Sequence, residues 1–434
     1  MIEADLRENC WEPGHVIGTL GDLVARYQVG LSSVRQAVLL LERQGRLELK
    51  RGQGGGVAVG MSGAAAAAMS MSTFLEFLPI EADELFDARA CVEGLSAKLA
   101  AERGDRQKIP LLYDREVPPV GDDEAIRLHR SATATRFGTL LASLSNNPLL
   151  EIFAEVLRHM SLEVIAGSRR PQEFDQAAAG AEKYRLALAD AVMAGDADRA
   201  GGIAHQFFTA EFPLLMRPAL IAARRGQTAL GRDGLDKEME VRWVLYGRQI
   251  KTAEALIRLL LREVRTRGLG PGARIGSEPE ILERYRVARP VLREAVRMLE
   301  RHGILNSRVG KAGGVYVGVA APEATVEFLE SEMRGLAIRP EHIAELRLRI
   351  EPELARQAAA QVAFPESDTP ASSLVEAGRR SNLHILPLFV QALRTLSPPT
   401  VADSAELLAH IAQQNVPQAF RAARDQLLAE QAPD

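Results

Sequence analysis

The sequence predicts a mainly α-helical protein with two small β-ribbons, organised as two repeated halves. Three observations carry that prediction. Aromatic residues make up only 5% of the 434 residues while Ala, Leu and Arg dominate, a composition that suits helices better than sheets. Apolar residues recur at helical spacing through most of the chain. The stretch Tyr27 to Gly60, YQVGLSSVRQAVLLLERQGRLELKRGQGGGVAVG, returns without a gap 258 positions later, at Tyr285 to Gly318, as YRVARPVLREAVRMLERHGILNSRVGKAGGVYVG. That offset pairs Val29 with Val287, Arg35 with Arg293, Glu42 with Glu300, Gly45 with Gly303 and Val59 with Val317.

Each copy reads as a short helix, a turn, a longer helix and a two-stranded ribbon. In the second copy Ile281 to Arg286 form the short helix and Val287 to Arg289 the turn. Val291, Leu292, Ala295, Val296, Met298 and Leu299 then recur at helical spacing, and Gly303 stands where a helix ends on a left-handed residue. Ile304 and Leu305 open a strand, Lys311 to Gly314 form a glycine-rich tip, and Val315, Tyr316 and Val317 make the return strand. This is the layout of a winged helix-turn-helix. The helix ahead of Pro271, about Thr252 to Arg267, has only about ten residues to match it ahead of Trp11, so a shortened opening helix is expected in the first copy.

Pro271, Gly272, Ser277, Glu278, Glu280, Arg289, Val291, Arg293, Glu294, Ala295, Leu299, Glu300, Gly303, Gly313, Gly314 and Val317 follow the pattern of the DNA-binding domain of the GntR family of bacterial transcription regulators. Both copies resemble that domain over about 60 residues, and the glycine-rich wing resembles its FadR-like branch. The resemblance implies that Arg289 and Arg293, at the front of the second recognition helix, grip guanine or phosphate. It implies DNA contacts from Arg308, Lys311 and Gly313 on the second wing. In the first copy it points to Ser32, Ser33 and Arg35 on the helix and Lys50 and Arg51 on the wing. Two departures weaken the first copy: Leu31 and Gly21 stand where the family carries arginines. Pro279 is the one such departure in the second.

Charge is divided unequally as well. The chain carries a net −4, yet residues 259–318 hold twelve Lys and Arg against six Asp and Glu, a net +6. Residues 1–60 hold seven of each, leaving −10 elsewhere, so basic character is confined to the second winged helix. Cys10 and Cys91 lack the spacing of a metal or redox pair. The acidic start MIEADLRENC is unlike a signal peptide, and no run reaches the ~18 apolar residues of a membrane span. A cytoplasmic protein with no membrane partner is expected.

From Ser72 to about Ala223 the chain reads as helix, with Ser62 to Met71 a hinge or a helix start. Leu85, Ala88, Val92, Leu95, Leu99 and Ala100 form an apolar stripe with the i,i+4 pair Arg89 and Glu93 alongside. ELFDARACVEGLSAKLAAER, LLASLSNNPLLEIF and LADAVMAGDADRA resemble, in order, segments of the all-α effector domain called FCD that follows the winged helix in the FadR-like branch. Asp196 in the last of these is a helix N-cap candidate. Gly226 to Lys237 reads as a linker. After the second winged helix, IAELRLRIEPELARQAAAQ aligns Arg347 and Glu351 with Arg89 and Glu93 at the same offset. Asn382 then pairs with Asn147 at 235 and Asn415 with Asp196 at 219, so this copy is 39 residues shorter and is expected to lack a helix or more.

In many FCD proteins an Asp and three His hold a divalent metal. Here Ala134, Gly138, Arg185 and Phe207 fall at those positions, with His129, His159 and His205 nearby but out of register, so the resemblance implies no metal and no cofactor. Arg185 either meets the carboxylate of an organic-acid effector or is a helix-surface arginine. Catalysis finds no support. Gly52-Gln-Gly54 runs from helix to strand, the reverse of the order a nucleotide fingerprint needs, and there is no HExxH, GxSxG or CxxC.

The sequence therefore divides into a first winged helix-turn-helix (1–62), a helical FCD-like effector and dimerisation bundle (63–225), a linker (226–240), a second winged helix-turn-helix (241–320) and a truncated FCD-like bundle (321–434). The expected function is a non-enzymatic, sequence-specific transcription regulator, a repressor. It would bind a double-stranded DNA operator, under control of a small carboxylate effector or, if both bundles have decayed, of none, as a single-chain pseudo-dimer or a homodimer. The alternative is a helical interaction or metal-binding protein that keeps its winged helices as scaffold.

Overall fold

The computed structural model describes residues 16–43, 47–50, 55–59, 63–113, 136–167, 171–214, 230–246, 250–310, 313–333, 338–361, 371–397 and 402–430, together with Ile2 and Leu336. A short strand, β1 (Val16–Gly18), leads into α1 (Leu20–Tyr27), α2 (Leu31–Arg43), β2 (Leu47–Lys50) and β3 (Gly56–Val59). Helix α1 begins at Thr19, whose side-chain oxygen accepts the Asp22 N–H at 3.2 Å while Asp22 Oδ2 accepts the Thr19 N–H at 2.7 Å. Two of the donors that a helix start leaves open are thereby satisfied. The helix stops at Gln28, which adopts a left-handed φ of 52° and turns the chain into α2. β3 lies between β1 and β2 in an antiparallel sheet, over a core that includes Ile17, Leu23, Val34, Val38 and Val57. The opening helix considered for this copy lies outside the described residues apart from Ile2, which is buried in the same core.

The first bundle consists of α3 (Gly63–Phe77), α4 (Ala82–Arg103), α5 (136–144), α6 (Pro148–Gly167), α7 (Pro171–Ala194) and α8 (Ala197–Gln206), the last running on through a π-helical turn at Phe207–Glu211. The alanine run is thus part of a helix, and Ala67, Ala68, Met71 and Leu75 bury its inner face. Asp196 caps α8, its Oδ1 accepting the Arg199 N–H at 3.1 Å. Helix α4 is buried on nearly every side, so the i,i+4 pair Arg89 and Glu93 beside its apolar stripe lies inside the bundle.

A correction concerns the stretch read as a linker. From Gly231 it is helical, forming α9 (Gly231–Tyr246). Gly231 and Gly234 disfavour a helix in isolation, but Leu235 is fully buried in the core of the second winged helix and Glu238 pairs with Arg262 at 2.6 Å. Tertiary burial outweighs local propensity here.

The second winged helix comprises α10 (Thr252–Thr266), β4 (Arg274–Gly276), α11 (Glu278–Tyr285), α12 (Arg289–Arg301), β5 (Leu305–Arg308) and β6 (Gly314–Val317). Its strand pairs Arg274↔Tyr316, Leu305↔Val317 and Arg308↔Gly314 stand 258 positions after Val16↔Ala58, Leu47↔Val59 and Lys50↔Gly56. Ser277 and Glu280 repeat the capping box, and Arg286 repeats the left-handed turn at φ 48°. Gly303 has φ +68°, and a Cβ there would fall 2.6 Å from the Val319 carbonyl, so glycine is required twice over. The third strand of each sheet was not anticipated, because three residues are too few to show alternation.

The second bundle holds α13 (Pro322–Met333), α14 (Pro340–Ala360), α15 (Leu374–Arg380), α16 (Ile385–Leu396), α17 (Ala405–Ala412) and α18 (Val416–Glu430). Each described α-helix of the first bundle has a counterpart here, whereas the 3-10 helix at Ile109–Tyr113, ahead of α5, has none among the described residues. Between Asn382 and Asn415 the shortening is taken from helices: α16 has 12 residues against 20 in α6, and α17 has 8 against 24 in α7.

The two bundles share one apolar core, to which α3, α4 and α6 contribute from one side and α13, α14 and α16 from the other. Phe153 stacks on Phe389 at 4.0 Å. The Cys91 thiol faces the carbonyl of Arg349, its own counterpart at offset 258, at 3.7 Å. Asn147 donates to the His342 carbonyl and to Glu345, and in the reverse sense Glu84 accepts from the backbone N–H groups of His384 and Ile385. Equivalent positions meeting in this reciprocal way mark an approximate two-fold axis.

Candidate nucleic-acid interface

Helix α12 opens without a side-chain cap, and Pro290 sits in its first turn, so its leading N–H groups are not taken up by a capping side chain. Arg289 and Arg293, four residues apart, project from the same face with side chains 70% and 62% exposed. Arg289 Nε and Arg293 Nη2 both lie 3.6 Å from Glu278 Oε1. The structure thus brings together the two arginines singled out from the sequence. Arg297, one turn further along and also exposed, continues the line. It was missed, although its spacing of four from Arg293 was legible. On the wing, the exposed Arg308 guanidinium lies 4.4 Å over the Tyr316 ring, which holds it at the sheet surface. Gly313 lies at the start of the return strand; Lys311 is outside the described residues.

The first winged helix presents a different face. Ser32, Ser33 and Arg35 are exposed at the front of α2, as expected. Leu31 and Leu39 stand in the register of Arg289 and Arg297 and are 43% and 52% exposed. Lys50 ends β2, and Arg51 lies outside the described residues. Glu48 on β2 binds Lys251 ahead of α10 at 3.0 Å, a direct contact between the two winged helices.

The far end of α12 is locked into the seam of the bundles. His302 is buried at 2% exposure. Its Nδ1 lies 2.9 Å from Thr325 Oγ1 on α13, and its Nε2 lies 3.4 Å from Ser70 Oγ on α3. Burial brings the imidazole down to about 4, and the neighbouring Arg301 charge pushes the same way. The recognition helix is therefore coupled to one helix from each bundle.

Inside the first bundle, Arg89 donates from Nε to Glu93 at 2.8 Å and from Nη1 to Ser161 at 2.8 Å, with its guanidinium 4.7 Å from the Phe208 ring. Burial holds the Glu93 carboxyl above its usual range, against the pull of Arg89. A Cβ at Gly138 would fall 2.8 Å from Glu93 Oε1, so the carboxylate uses the space left by the missing side chain. Tyr184 stacks on Phe207 at 3.8 Å. Of the metal-ligand positions, Gly138 and Phe207 offer no donor atom and Arg185 brings a positive charge; Ala134 and His129 lie outside the described residues. A metal does not fit this donor set. His159 lies 3.3 Å from Glu155, and His205 is exposed. Arg185 is buried, not on the helix surface. Its Nη2 is 3.3 Å from Glu182 Oε2, close enough for ion pairing but without hydrogen-bond geometry, and Nε and Nη2 lack hydrogen-bond partners, as does the Tyr184 hydroxyl.

The family model for bacterial regulatory proteins of the gntR family matches two segments of the chain, residues 1–57 and 252–317. The FCD domain model matches residues 84–210. Among solved structures the chain is similar to Streptococcus agalactiae GntR, at 18% identity, covering 48% of this chain and 94% of that one with a TM-score of 0.27. No curated protein matches the chain.

Proposed function

We infer that this chain, a DNA-binding transcription regulator with winged helices of the gntR type and an FCD domain, joins two such units by duplication and fusion and acts as a repressor. The observation that carries this reading is the line of exposed arginines on α12, Arg289, Arg293 and Arg297, in a segment with a net charge of +6. Arginines at that spacing reach a single groove, where each can grip guanine O6 and N7 or a phosphate. Arg308 on the wing extends the contact to the neighbouring backbone. A scaffold that no longer binds an operator is supported only by the zero net charge of residues 1–60.

Domain limits near residues 62, 225 and 320 follow from the repeat, with α9 counted into the second winged-helix unit because it packs there. The shared core of the bundles supports a single-chain pseudo-dimer, in which one polypeptide supplies what a regulator dimer otherwise brings from two. Arg185, buried with a partnerless Nε, is the group we assign to the carboxylate of a small organic-acid effector. A regulator of this kind works in the cytoplasm.

The test is a titration of the full chain against duplex from upstream of its own gene at several salt concentrations. Affinity is expected to fall with salt at a slope of about −0.9 per phosphate neutralised. Binding that is indifferent to both salt and sequence would favour the scaffold instead.

A further inference from the structure

The two recognition helices differ by a regular exchange. At offset 258 the stripe Arg289, Arg293, Arg297 of α12 becomes Leu31, Arg35, Leu39 on α2. The exchange extends beyond the helix. Five large apolar residues are exposed on the first winged helix among the described residues, Val16, Val29, Leu31, Leu39 and Leu49. Val16 takes the place of Arg274 and Leu49 that of Ser307, whereas Val29 matches Val287. The scaffold beneath is unchanged: the capping box, the left-handed turn and the strand register are those of the second copy.

We propose that α2 is a reader of thymine: Leu31 and Leu39, with Val29 at the turn, meet the C5-methyl groups of an A·T-rich half-site while α12 reads guanine in the other half. This rests on the DNA-binding reading above. Thymine is the base that places a methyl group in the major groove, and apolar side chains are what recognise it. Arg35 remains between the two leucines, and Ser32 and Ser33 remain in the first turn, so the helix keeps groups suited to phosphate and base edges. A protein partner is the lesser fit. A stable protein interface buries about 800 Å² on each side, and this face offers half-exposed leucines divided by an arginine. The lack of net charge on the first winged helix is no obstacle, because the basic second one in the same chain anchors it at high local concentration.

The experiment uses the full chain and a random-sequence duplex library at fixed salt. The selected sequences are expected to have two unlike halves, one rich in guanine and one in thymine. Replacing thymine by deoxyuridine in the second half, which removes only the methyl, should weaken binding about fourfold per contacted methyl, the worth of burying one such group. The same replacement in the guanine half should have no effect. A Leu31→Ala, Leu39→Ala variant should bind more weakly and lose its response to deoxyuridine, and Leu31→Arg with Leu39→Arg should turn that half towards guanine. These side chains are exposed, so an unchanged melting temperature serves as the folding control. Guanine in both halves, or indifference to deoxyuridine, overturns the proposal alone. Indifference of DNA binding to the alanine variant, combined with a fall in assembly mass, assigns the face to a second copy and also overturns it. Failure to retain any duplex overturns the DNA-binding reading beneath it.

Discussion

Arg289 and Arg293 both approach Glu278, but at 3.6 Å and more than half exposed they form weak ion pairs. Such surface pairs contribute about 0–1 kcal/mol, so exchanging this carboxylate for a phosphate or a guanine would cost the arginines little. Arg293→Ala is expected to remove about 1–3 kcal/mol of specific binding, the worth of one bidentate base contact, and Arg35→Ala is expected to remove less. Equal losses in titrations at matched salt would contradict the ranking. His302 offers a stability measurement at the same scale. Its folded-state pKa of about 4 lies below the ordinary 6.5, so the unfolded chain takes up a proton first as pH falls. Its contribution is fully present above about pH 6.5 and is lost on acidification towards pH 4, by an amount on the order of 3 kcal/mol. Asp87, raised to about 6 by burial, titrates in the same window with the opposite sign. The comparison is therefore between the parent chain and His302→Gln in denaturant titrations from pH 4 to 7. The variant is expected to lose that part of the pH dependence.

At the scale of elements, α9 decides how firmly the second helix-turn-helix is held. Leu235 is fully buried among residues of α10 and α11, and Arg232 donates to the carbonyl of Arg286, the left-handed residue of the turn, at 3.3 Å. Leu235→Ala leaves a cavity at the base of that turn and is expected to cost about 2–5 kcal/mol. It should also weaken DNA binding, since the turn aims α12. An unfolding midpoint that does not move would mean that α9 is an accessory and not part of this core. The capping boxes at Thr19 and Ser277 show what the repeat preserves. Side chains differ between the copies, yet the same two backbone donors are satisfied, because a helix start has few ways of satisfying them.

At the scale of the whole molecule, the seam between the bundles joins the two halves of the chain. Phe153 on Phe389, Arg103 on Glu345 at 2.6 Å and Asn147 on α14 join helices from opposite halves of the chain. If this seam meets the need for dimerisation, light scattering will give a mass near 47.2 kDa, with one chain on each duplex. Two chains on a symmetric site would refute the single-chain arrangement. Because the two winged helices carry different stripes, the preferred site is expected to be an imperfect palindrome with one strong half.

The repeat, the helical class, both recognition helices and the arginine pair were legible from residue order alone, because they depend on short-range spacing. Periodicity marks a helix face, and glycine marks a turn that other residues resist. Even the inequality of the two copies was visible in Leu31 and in the charge count. Other features were decided only by tertiary structure. Local sequence made Gly231 to Lys237 a linker, but burial of Leu235 made it part of a helix. Arg89 and Glu93 have the spacing of a surface pair, and only the packing of α4 among its neighbours put them inside the bundle. The bond between His302, Thr325 and Ser70 joins residues as far as 232 positions apart. No local pattern encodes such a contact, since it forms only when two bundles and a winged helix have each buried their own apolar face and meet on what is left.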